Sequence, residues 1–123
     1  DRDKIFGLDK VNKSKPILVV EGPLDSLFLD NCIAVAGADF SNMEGDLTVI
    51  YDNEPRNKEI NKQIEKTIDQ GKSVCLWPDT IECKDINDMI IAGYSKKELQ
   101  EIITNNTFSG VAAKLRFAEW RRI

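Results

Sequence analysis

Short, wholly apolar runs alternate along this chain with longer stretches in which apolar residues recur at helical spacing. Ile17–Val20 is a run of branched and apolar side chains with no polar position, the pattern of a strand buried on both faces. Glu21-Gly22-Pro23 ends it, and Pro23 suits the first turn of a helix over residues 24–29. Residues 33–36 predict a second buried strand closed by Gly37, and residues 47–51 a third that ends on Asp52. Pro55 opens a helix reaching about Gln70. Its Ile60, Ile64 and Ile68 form one stripe, and Gly71 is a suitable C-terminal stop. Residues 73–77 predict the fourth strand. Helices follow at about residues 86–92 and 95–105, the second with Ser95 and Glu98 in capping-box spacing. A last amphipathic stretch covers about residues 110–122.

Strands alternating with helices predict an α/β fold, a mainly parallel sheet of about four strands flanked by helices. With 123 residues and neither internal repeat nor linker, the expectation is one domain over 1–123. Its core spans about 16–105 and a C-terminal helical extension about 106–123. Parallel sheets place ligand sites outside the carboxyl ends of their strands, which directs attention to the residues that end each run. Here those residues are acidic.

Glu21 directly follows the first strand and Asp52 the third, so if these strands are neighbours their carboxylates meet at one edge. Asp25 lies one helical turn after Glu21, and Glu54 shares a side with Asp52 in an extended segment. Asp85 and Asp88 follow the fourth strand. Clustered carboxylates repel one another and resist desolvation, and a hard divalent cation relieves both costs. Oxygen-only ligands favour Mg²⁺, with Mn²⁺ as substitute, over zinc. Asp25 and Asp85 fit equally well as acids at helix N-termini, and Asp88 as a solvated helix residue. Arg56, Lys58 and Lys84 lie near these acids in sequence, within reach of a triphosphate or simply solvated. Phe117 and Trp120 read as packing residues rather than stacking platforms for bases.

Composition narrows the chemistry further. The chain has no histidine and three cysteines, none in a C-x-x-C pair, which argues against a structural zinc site or a His-dependent triad. Scattered thiols suit a reducing cytoplasm, with Cys32 and Cys75 as small core residues. No apolar run approaches the roughly 18 residues that span a bilayer. A formal net charge of −4 is unusual for a domain that grips nucleic acid by itself, and if the chain works on DNA or RNA the phosphate-binding charge comes mostly from elsewhere. The opening Asp-Arg-Asp-Lys, without Met, reads as a fragment of a longer protein.

Three segments together resemble a known family. Val19-Val-Glu-Gly-Pro-Leu-Asp25 is similar to the first motif of the toprim fold, a Rossmann-like arrangement in which a strand ends on Glu and Asp follows four residues later. Tyr51-Asp-Asn-Glu54 resembles its Asp-x-Asp motif, with Glu54 in place of the second Asp and so one methylene longer. Lys84-Asp-Ile-Asn-Asp-Met-Ile90 resembles the Lys-Asp-Pro-x-Asp segment of bacterial-type DNA primases, with Ile86 where the family has Pro. The ordered set looks most like tailed-bacteriophage primases. The resemblance implies synthesis of short RNA primers on single-stranded DNA from ribonucleoside triphosphates. It implies Glu21 nearest the catalytic step, Asp52 and Glu54 on the metal that escorts the triphosphate, and Asp85 and Asp88 in support. It also implies upstream zinc-binding and basic domains and a hexameric helicase as partners, so that this piece alone is expected to be inactive. A metal-dependent toprim nuclease and a non-catalytic toprim interaction module share the same motifs.

Overall fold

The computed structural model describes residues 5–36, 43 and 45–123; Gly37, expected to close the second strand, lies outside them. Strand β1 (Ile17–Val20) is buried at all four positions, as its uninterrupted apolar run requires. It pairs in parallel with β2 (Cys32–Ala34) on one side and β3 (Leu47–Ile50) on the other, with Val19 opposite both Ile33 and Val49. Strand β4 (Ser73–Cys75) extends the parallel set beside β3. The sheet order is β2-β1-β3-β4-β5, so the fold is α/β around a mainly parallel sheet.

The fifth strand was not expected. β5 (Thr107–Phe108) runs antiparallel to β4, with Thr107 opposite Cys75 and Phe108 opposite Val74. Two residues carry no readable period, and the pairing arises because the preceding helix delivers the chain back to the sheet edge. Residues 106–123 therefore complete the sheet and core.

Helices cover both faces. On one face, Ile17, Val19 and Val49 pack with α2 (Lys58–Asp69) and α5 (Gly110–Trp120) through Ile64, Ile68, Ala113, Phe117 and Trp120. On the other, Leu18, Val20 and Ile50 pack with α3 (Ile86–Ile91) and α4 (Lys96–Asn105) through Ile86, Met89, Leu99 and Ile103. Phe117 and Trp120 are thus core residues, their rings stacked with centroids 6.3 Å apart.

Local chemistry sets the helix ends. Asn57 caps α2 by accepting the Ile60 N–H at 3.0 Å. Gly71, at φ +80°, ends it: its N–H donates to Ile68 O and the Lys72 N–H to Thr67 O, a Schellman closure. Ser95 and Glu98 form the anticipated capping box on α4. Helix α1 is shorter than expected, only Pro23–Ser26, because Leu24 and Leu27 face solvent and add no core contact to prolong it.

Candidate active site

Strands β1 and β3 are neighbours, and between them the connectivity reverses direction, from β2 on one side to β4 on the other. Such switch points open a crevice at the carboxyl ends of the strands. Glu21 leaves β1 here and Asp52 follows β3. Together with Asp25 and Asp85 they line a narrow cleft, floored by Val20, Ile50, Trp77 and Ile86, whose cavity volume is about 10 Å³. That is room for about one water-sized sphere.

Each acid is held differently. Glu21 is exposed at the rim, whereas Asp25, Asp52 and Asp85 are half-buried. Gly22 permits the approach of Asp25: a Cβ there would stand 3.3 Å from Asp25 Oδ2. Asp25 Oδ1 accepts the Asn87 N–H at 3.2 Å, and Asp85 Oδ1 accepts the Asp88 N–H at 2.8 Å as the N-cap of α3. Both acids therefore do serve a helix N-terminus, while their carboxylates also face the cleft. Glu54 and Asp88 do not line it, but their charges reach it. Asp88 adds to the negative field at Asp25, and Glu54 to that at Asp52.

The electrostatics record the crowding. Burial, then the Asp85, Glu54 and Asp25 carboxylates, push Asp52 up to about 6, against a smaller opposing pull from Lys84. Burial and Asp85 likewise raise Asp25, offset in part by the Asn87 N–H. Among the described residues, Lys84 is thus a cation whose charge bears on Asp52. Arg56 and Lys58 are exposed, on the loop before α2 and in its first turn. Among the described residues, no three acidic or thiol side chains stand close enough to hold one metal ion between them.

Several positioning residues escaped the sequence reading. The buried Trp77 indole donates to Tyr51 O at 3.0 Å, fixing the backbone just before Asp52. The Tyr51 hydroxyl bonds Thr67 of α2 at 2.7 Å. Asn53, between the two acids of its motif, donates its side-chain amide to Ile81 O at 2.9 Å and Cys83 O at 3.2 Å. Asn61 donates to Pro55 O and Asn57 O, and the Arg122 N–H shares Pro55 O. The available signal was an amide between two carboxylates, at a position where the resembling motif leaves the residue open.

The structure is thus an α/β domain with four acids in a cleft at the switch point of its parallel sheet, where folds of this class place their ligands. No family model matches the chain. It is, however, 35% identical over 131 residues to the DNA primase of Enterobacteria phage T4, an alignment covering 98% of this chain and 36% of that protein. The chain thus spans about a third of that relative's length, and the likeness to phage primases seen in three short motifs extends along nearly all of it.

Proposed function

We propose that this chain is the metal-binding catalytic domain of a DNA primase, synthesising short RNA primers on single-stranded DNA from ribonucleoside triphosphates. The observation that carries the reading is the meeting of Glu21, Asp25, Asp52 and Asp85 in one cleft at the β1/β3 switch point. The chain-long similarity to the primase of phage T4 supports this reaction over others that an acidic cleft allows.

The donor set suits Mg²⁺. All candidate ligands are hard oxygens, and desolvation with three neighbouring carboxylates already disfavours an uncompensated Asp52 anion. Mg²⁺ commonly takes only one or two carboxylates and completes its shell with water and substrate phosphates, so it does not require three acids at one point. Asp52 and Glu54 are the residues that would hold it, with Asp85 and Asp88 in support. When bound, the ion supplies neutralisation of phosphate charge. Glu21 accepts the proton of the attacking 3′-hydroxyl as the new oxygen–phosphorus bond forms and pyrophosphate leaves. Lys84 and Arg56, on the loops beside the acids, and Lys58, in the first turn of α2, would contact the incoming triphosphate. Template grip, with the zinc-binding and basic domains and the hexameric helicase, is supplied by other parts of the cytoplasmic replication assembly.

The test is priming by the full-length protein carrying Glu21→Gln or Asp52→Asn. Loss of about a hundredfold or more, with the fold retained by circular dichroism, is expected. Undiminished priming would leave the domain as a scaffold. Cleavage of nucleic acid without triphosphates, lost in the same variants, would replace the polymerase reading by a nuclease.

A further inference from the structure

Two loops carry the half-buried acids of the cleft: one follows β3 and bears Asp52, the other precedes α3 and bears Asp85. Their mutual spacing is not set by strand pairing, because both lie beyond the last paired residues, Ile50 and Cys75. The Trp77 indole bond to Tyr51 O ties the bases of the two segments, and Asn53 joins the loops themselves beside the acids. Its N–H donates to Lys84 O at 2.6 Å, and its side-chain amide donates to Ile81 O and Cys83 O at 2.9 and 3.2 Å. One residue, adjacent to Asp52, thus satisfies three carbonyls of the opposite loop, the last of them adjacent to Asp85.

We propose that Asn53 is a positioning residue that sets the distance from the Asp52 carboxylate to those of Asp25 and Asp85. An amide is the group this role requires. Its two N–H donors meet two carbonyls at once, whereas an Asp in the same place would set a carboxylate against carbonyl oxygens. Asp25 is drawn into the same unit through the Asn87 N–H, so the clamp reaches three acids from three segments. The consequence for metal binding rests on the reading of these acids as a cation site.

The experiment is a Mn²⁺ titration of this chain by electron paramagnetic resonance, with crystal structures of the wild type and variants. Asn53→Ala is expected to fold, to widen the separation between the Asp52 and Asp85 carboxylates, and to weaken Mn²⁺ binding about tenfold or more. Asn53→Gln, which keeps both donors one methylene further out, is expected to recover part of both. A structural role alone would lower stability to urea without altering the affinity of the folded protein. Mn²⁺ affinity within about twofold of wild type in Asn53→Ala, with Asp52→Asn abolishing binding, would overturn the proposal. If the wild type binds no Mn²⁺, the metal reading falls, and the carboxylate separation in Asn53→Ala decides the clamp: unchanged overturns it, widened upholds it. Should Asn53→Ala not fold, Asn53→Gln is judged by the same two measurements.

Discussion

A carboxyl that is half-buried among three others stores free energy, and Asp52 is where this chain stores it. Its pKa of about 6 lies above the ordinary 3.8, chiefly through desolvation and then through Asp85, Glu54 and Asp25. The folded state therefore holds this proton more tightly than the unfolded chain does. The contribution to stability is most favourable below about pH 4 and is lost as pH rises from there through about 6. Asp52→Asn should flatten that fall. In chelator at pH 7 it should also stabilise the chain by about 1 kcal/mol, less than the full linkage value because Asp52 is only half-buried. Urea melts of both proteins at pH 4.5 and 7 measure the effect. A wild type that gains stability over that interval relative to Asp52→Asn would refute it. Asp25, also raised by burial and Asp85, tilts the profile in the same direction.

At the scale of elements, the legible parts were those whose local chemistry and tertiary surroundings agree. The uninterrupted run of β1, the isoleucine stripe of α2 and the Ser95–Glu98 box all formed, since each matches its buried or capped environment. The helix after Pro23 fell short because its leucines found no core, and β5 was missed because only its contact with β4 makes it a strand. The candidate site divided along the same line. Acids that end strands were legible from position alone, since the sheet brings neighbouring strand ends together. The amide and indole donors that aim those acids were not, because their partners lie more than twenty residues away in sequence. The start of α2 offers a test at this scale. Asn57→Ala removes the cap on Ile60 N–H and should cost about 1 kcal/mol in equilibrium unfolding. A change below about 0.3 kcal/mol would show that water replaces the cap without loss.

For the molecule as a whole, charge is the governing quantity. A domain of net charge −4 with four of its acids gathered in a cleft repels a nucleic acid backbone. On its own, this chain is expected to bind single-stranded DNA more weakly than about 10⁻⁴ M at physiological salt, with a shallow salt dependence. Fluorescence anisotropy across a salt series measures both, and micromolar affinity would show that the basic surface lies within this chain after all. The apolar side chains left in solvent on α5, Val111 and Leu115, add no positive charge to change this expectation.

The borders of the sheet carry a consequence of another kind. On the β2 side, Phe6 and Ala34 exchange two backbone hydrogen bonds in an isolated antiparallel bridge, at 2.7 and 3.0 Å. On the β4 side, β5 presents only two residues, turned against the direction of the other strands. A short or covered margin gives a foreign strand little backbone to template on. Among the described residues, both margins are therefore poor templates for strand addition. Neighbouring domains are then expected to attach through the helix surfaces rather than the sheet margins, which leaves the acidic crevice at the strand ends open.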